Sequence, residues 1–185
     1  MSPFAVLGLP RSRTAWLSQF LTYGDRVCLH EPSRHWKGMA DLHAALDAGC
    51  GLSDSVLTFR WRDILAHRPG TAVVVVHRSA GEVLTSFRRA GLWHDRLPEA
   101  VASLEMAIDE LMEGAPEALH VPYAALDQHN VCARVFAHCL GFDMPFAHWH
   151  KWRDQRVLAD ATQHIADAAA NPHIGALFPE LMEAA

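Results

Sequence analysis

Near the start of the chain, Arg11-Ser12-Arg13-Thr14 brings two guanidinium groups and two hydroxyls together, preceded by Gly8-Leu9-Pro10 and followed by Ala15-Trp16. Arginine presents a rigid fork of N–H donors that matches the oxygens of phosphate and sulfate, and hydroxyls can add further donors. The residues before this segment, PFAVLG at positions 3–8, form a short apolar run ending at glycine, the pattern of a buried strand. The residues after it, 14–22, place Trp16, Leu17, Phe20 and Leu21 on one helical face. A loop between a strand and a helix also exposes the unpaired N–H groups and positive dipole end of the helix, which suit an anion. A plain turn with Ser12 as N-cap and two solvated arginines accounts for the composition equally well. Position after the first strand of an α/β chain favours anion binding.

A second group lies at residues 73–86, VVVVHRSAGEVLTS. Arg78 stands at the end of an apolar strand pattern, and Ser86 lies two helical turns further on, so both can face one anion. The alternative pairs Arg78 with Glu82 across one turn. Candidates for accepting a proton cluster after two other strand patterns: His30, Glu31 and His35 after residues 26–30, and Asp54 beside residues 55–59. A carboxylate or imidazole there could act as a general base. His148 and His150 could suggest a metal, but no third ligand stands at a recognisable spacing, so surface or helix-packing histidines are expected. Cys132 and Cys139 share a face of one expected helix and read as buried packing.

The loop Pro10-Arg11-Ser12-x-Thr14-x-Trp16-Leu17 resembles the 5′-phosphosulfate loop of sulfotransferases, commonly written P-(K/R)-S-G-T-T-W-L. Residues 73–86 are similar to that family's 3′-phosphate motif, a hydrophobic strand followed by Arg and, eight residues on, Ser. Val121-Pro122-Tyr123-x-x-Leu126, with Leu140-Gly141 after it, is similar to the family's YEDL…FLG segment and speaks to fold rather than chemistry. The three segments occur in the family's order over residues 4–142. The resemblance implies a P-loop nucleotide-kinase-like fold and the sulfate donor 3′-phosphoadenosine 5′-phosphosulfate (PAPS), with no metal. It implies that Pro10, Arg11, Ser12, Arg13, Thr14, Ala15 and Trp16 line the phosphosulfate. It assigns Arg11 to the transferred sulfonate and bridging oxygen, and Arg78 and Ser86 to the 3′-phosphate. In several carbohydrate sulfotransferases a Glu in an EP pair is the base, which makes Glu31 the first choice over His30, His35 and Asp54.

The chain departs from that family at three points. Arg13 stands where the loop usually has Gly, which permits close backbone approach to phosphate. Ala15 stands where a Thr hydroxyl is usual. The basic-glycine motif that completes the 3′-phosphate site toward the C-terminus is absent, with Lys151, Arg153 and Arg156 as possible substitutes. A Walker A loop, GxxxxGK(S/T), does not fit either. Starting from Gly8, Arg13 occupies the second Gly, Thr14 the Lys and Ala15 the Mg²⁺-binding hydroxyl, so Mg·ATP hydrolysis of the usual kind is not expected.

The elements that must position these groups alternate. Strands are expected at 3–8, 26–30, 55–59, 71–77 and 118–121, and helices at 14–22, 35–48, 60–67, 79–90, 99–113, 130–140, 157–170 and 174–183. The four consecutive valines of residues 73–76 lack polar alternation, as in a parallel strand covered on both faces. The expectation is a three-layer α/β/α domain over residues 1–185, with a parallel sheet of about five strands, sites at the carboxyl ends of those strands, and C-terminal helices from about residue 145.

Bulk composition bounds the function. With 185 residues, half of them hydrophobic, the chain can bury a full core. A net charge of −5 argues against a general nucleic-acid partner. No apolar run is long enough for a membrane span and no signal peptide is legible, so a cytoplasmic location is expected. The leading functional expectation is a sulfotransferase-like enzyme acting on a hydroxyl or amine of a small-molecule or carbohydrate acceptor, with the acceptor pocket formed by residues 31–38, 49–54 and 91–98. The alternatives are a divergent P-loop phosphotransferase and a non-catalytic nucleotide- or anion-binding protein of the same fold.

Overall fold

The computed structural model describes residues 2–157. Five strands form one parallel sheet: β1 (Phe4–Gly8), β2 (Cys28–His30), β3 (Gly51–Ser53), β4 (Ala72–His77) and β5 (Leu119–Pro122), in the order β2-β3-β1-β4-β5. Seven α-helices are seen among the described residues: α1 (Thr14–Phe20), α2 (Met39–Asp47), α3 (Trp61–His67), α4 (Ala80–Arg89), α5 (Leu97–Gly114), α6 (His129–Leu140) and α7 (Phe146–Trp152). No described helix is long and apolar enough to cross a membrane.

The side chains of β1 and β4 explain the three layers. On one face Ala5, Leu7, Val73 and Val75 pack with Leu42 and Leu46 of α2, Ile64 of α3, Val83 of α4 and Val101 and Leu104 of α5. On the other, Phe4, Val6, Val74 and Val76 pack with Leu17 and Phe20 of α1, Val135 and Phe136 of α6 and Trp149 of α7. Both faces of the central strands are therefore apolar, which is why residues 73–76 carry no polar alternation. The sheet is the expected parallel five-stranded one.

The third strand is not where the apolar run placed it. Residues 55–59 were expected to be a strand, but Val56–Arg60 form a 3₁₀ turn and β3 is Gly51–Ser53. Asp54 ends the strand: its carboxylate accepts from the backbone N–H groups of Val56 (2.8 Å) and Ser33 (3.0 Å), which bends the chain out of the sheet. Gly51 belongs to this strand. It faces the ring of Phe4, which lies 2.0 Å from where a Cβ would be, so only glycine fits. The helix expected over 35–48 is likewise divided into a 3₁₀ turn at Pro32–His35 and α2 at Met39–Asp47, with Gly38 between them in an extended conformation. Helix α7 lies where the C-terminal helices were expected to begin, from about residue 145. The helices expected at 157–170 and 174–183 involve residues 158–185, outside the described residues.

Candidate functional site

The strand order puts β1 and β4 side by side while their connections run to opposite edges of the sheet. Such a reversal opens a crevice at the carboxyl ends of the two strands. Residues 9–13 leave β1 there, and Arg78 leaves β4.

The loop is held close to β4 by Gly8. Its φ of 146° and its place opposite Val76 leave no room for a side chain, since a Cβ would meet the Val76 carbonyl oxygen at 2.5 Å. Thr58 Oγ1 holds the same residue from the other side, accepting from Gly8 N–H at 3.0 Å and donating to the Gly8 carbonyl at 3.3 Å. The loop then takes two left-handed residues, Arg11 and Arg13, each at φ 64°. Left-handed backbone costs a non-glycine residue about 1 kcal/mol or more, and such strain concentrates at functional loops.

Ser12 lies between the two arginines. It is fully buried and its hydroxyl has no hydrogen-bond partner. It is not the N-cap of α1: Arg13 occupies that position, and no side chain caps the helix. A buried hydroxyl without a partner costs about 1–3 kcal/mol, so a ligand oxygen there would satisfy a standing deficit. Thr14 is also buried. Its hydroxyl lies 3.4 Å from His30 Nε2, and its carbonyl accepts from Ser53 Oγ at 2.9 Å, which pins the start of α1 to the ends of β2 and β3.

The two arginine motifs meet. Arg11 Nε donates to Ser86 Oγ at 3.2 Å, across 75 residues, and the Arg78 guanidinium donates to the backbone carbonyl of Arg11. Arg78 does not use Glu82 as its hydrogen-bond partner. Glu82 instead forms a capping box with Ser79 at the start of α4. The Arg78 guanidinium lies 4.1 Å from the centre of the Tyr123 ring, a cation–π contact that holds it beside the end of β5. Arg78, Ser86, Thr85 and Arg89 line a shallow depression of about 380 Å³ beside this junction, with Gly81 and Glu82.

Glu31 ends β2 in a left-handed conformation, φ 41°, with its N–H bonded to the Ser53 carbonyl at 2.9 Å. Its side chain is mostly buried and contacts Arg34 (3.3 Å) and His30 (3.6 Å). Burial, with the neighbouring Asp54 charge, raises its carboxyl to about 7, against the lowering influence of Arg34 and Arg11. Asp54 is fully buried and also raised by burial, opposed by its bonds from Ser33 and Val56. His35 is exposed at the end of its 3₁₀ turn.

Other expected residues have structural places. The Trp16 ring is buried against Phe20, 4.7 Å away and stacked, and its N–H donates to the Trp152 carbonyl, so only its backbone can serve the loop. His148 Nε2 meets the Phe20 carbonyl at 2.7 Å and its ring packs on Tyr23 and Phe136. Cys132 and Cys139 are buried in the same core. Lys151 lies over Trp152, and Arg153 pairs with Asp154. Half of the stretch expected as an acceptor loop at 49–54 is β3. Tyr123 and Thr58 are the contributors whose role the sequence did not reveal. Their signals are indirect, Tyr123 being the first residue after β5 and Thr58 lying within an apolar run.

No family model, curated protein or solved structure gives a significant match to this chain.

Proposed function

We propose that this chain is a sulfotransferase-like enzyme, built on a P-loop-like variant of the α/β/α fold, that moves a sulfonate group from PAPS to a hydroxyl or amine of a small-molecule or carbohydrate acceptor. The observation that carries the reading is the convergence of Arg11, Ser86 and Arg78, which come from two separate anion-binding motifs and meet at the reversal in strand order. The orphaned, buried Ser12 hydroxyl supports the fit of an oxyanion to the loop.

The donor supplies an activated sulfur whose bond to the phosphate oxygen breaks as the acceptor oxygen or nitrogen bonds to it. Arg11 would hold the negative charge that gathers on the departing phosphate. Arg78 and Ser86 would hold a second phosphate. Glu31, titrating near neutrality, is suited to take the acceptor's proton, because a base is most effective when its pKa lies near the working pH.

The test is a calorimetric or thermal-shift titration with adenosine 3′,5′-bisphosphate and with Mg·ATP, on the wild type and on Arg78→Ala. A ligand that binds only the folded state raises Tm by mass action, so no acceptor is needed. Bisphosphate binding that is lost in Arg78→Ala supports the reading. Absence of bisphosphate binding sinks it, and a response to Mg·ATP alone would point to phosphotransfer. Bisphosphate binding with no transfer to any acceptor screened would leave an anion-binding protein of the same fold.

A further inference from the structure

Arg13 differs from the other two arginines of the site. Arg11 and Arg78 spend donors on a hydroxyl and a carbonyl, whereas Arg13 Nη2 is 2.7 Å from a carboxylate oxygen of Asp127. Asp127 ends the 3₁₀ turn Tyr123–Asp127 that follows β5, and its side chain is 68% exposed. The Arg13 guanidinium also lies 5.5 Å from the centre of the Tyr123 ring and 5.7 Å from that of Trp16. Arg13 and Arg78 therefore share one aromatic platform, but only Arg78 is tied to the loop backbone.

We propose that the Arg13–Asp127 ion pair is an autoinhibitory latch, which an oxyanion seated on the loop must open by taking the Arg13 guanidinium away from Asp127. The inference rests on the reading of residues 9–14 as an anion loop. Three features support it. The left-handed backbone at Arg13 fixes the root of the side chain beside the orphaned Ser12 hydroxyl. The long arginine stem then lets the guanidinium travel while the backbone stays still. An exposed ion pair is weak, worth about 1 kcal/mol at most, whereas a bidentate contact to a multiply charged phosphate or sulfonate is stronger, so the exchange favours the ligand. Parting the pair is a cost subtracted from every binding event, and it makes affinity depend on a residue that never touches the ligand.

Isothermal titration of inorganic pyrophosphate, with adenosine 3′,5′-bisphosphate in parallel, on the wild type, Asp127→Asn, Arg13→Gly and the double variant tests the latch. Glycine suits the left-handed position, so Arg13→Gly should fold. Asp127→Asn should tighten pyrophosphate binding about two- to fivefold, the range of an exposed ion pair. Arg13→Gly should weaken it, and in the Arg13→Gly background Asp127→Asn should have no effect. An unchanged or weaker affinity in Asp127→Asn overturns the latch. So does a gain that persists without Arg13, which would be mere removal of a negative charge, and so does failure of both wild type and Asp127→Asn to bind pyrophosphate. Arg13-dependent tightening for pyrophosphate without bisphosphate binding would keep the latch and remove the PAPS reading.

Discussion

Arg78 donates from its guanidinium to the backbone carbonyl of Arg11, joining the end of β4 to the loop after β1. The contact fixes both where Arg78 lies and how the left-handed backbone at Arg11 turns. Adjacent parallel strands bring the two residues together at the reversal of strand order, beside the depression that Arg78 and Ser86 line.

A lysine in place of Arg78 tests whether this geometry matters beyond its charge. An ammonium cannot sit over Tyr123 and also present a planar fork to a carbonyl and an anion. Arg78→Lys should weaken adenosine 3′,5′-bisphosphate binding about tenfold, while stability in urea changes by less than ~1 kcal/mol. Equal affinity in calorimetry would mean that Arg78 acts as a point charge only.

Gly8 should be intolerant of any side chain. Its Cβ would sit 2.5 Å from the Val76 carbonyl oxygen, between the two central strands, at a φ of 146°. Relief requires a shift of β1 from β4, so Gly8→Ala should destabilise by about 3 kcal/mol, read from the urea midpoint at unchanged slope. Stability within ~0.5 kcal/mol of wild type would contradict the close approach of the loop to β4.

Much of this arrangement was legible because its signals are local. The valines of β4, the apolar run of β1 and the loop after Gly8 each declare themselves within a few residues, and all three lie where expected. Arg11, Arg78 and Ser86 were each visible, but nothing in their spacing states that Arg11 would contact Ser86 directly. β3 was misplaced because three residues are too few to show periodicity, while Val56-Leu57 carries the apolar signal without the geometry. Asp54 overrides that signal through side-chain bonds to the backbone. Tyr123 and Asp127 meet the loop across more than a hundred residues of chain, a relationship that only the folded sheet creates.

Glu31 predicts a pH dependence with a definite sign. The fold holds its carboxyl at about 7, above the ordinary 4.5, so the folded state favours the protonated form. That contribution is complete below about pH 4.5 and is lost as pH rises through 7. Glu31→Gln has no such proton to lose. Its stability relative to wild type should therefore improve between pH 5 and pH 8, by about 1–3 kcal/mol in urea denaturation. If the difference between the two proteins is the same at both pH values, the carboxyl is not raised in the folded state. Under the proposed function, Glu31→Gln should also abolish the rise in transfer rate through neutral pH.

Arg11 should separate stability from binding. It is exposed, left-handed at φ 64°, and holds one exposed hydrogen bond to Ser86. Glycine removes the left-handed strain, worth about 1 kcal/mol or more, and forfeits a surface bond worth less, offset in part by greater freedom of the unfolded chain. Arg11→Gly should therefore fold with stability equal to wild type or up to ~1 kcal/mol higher. Because the guanidinium is the group that would meet the phosphosulfate, the same variant should bind adenosine 3′,5′-bisphosphate at least about tenfold more weakly. A residue kept at a conformational cost, whose removal helps the fold and harms ligand affinity, is retained for the ligand. A variant less stable than wild type with unaltered affinity would instead make Arg11 a structural tie between the loop and α4.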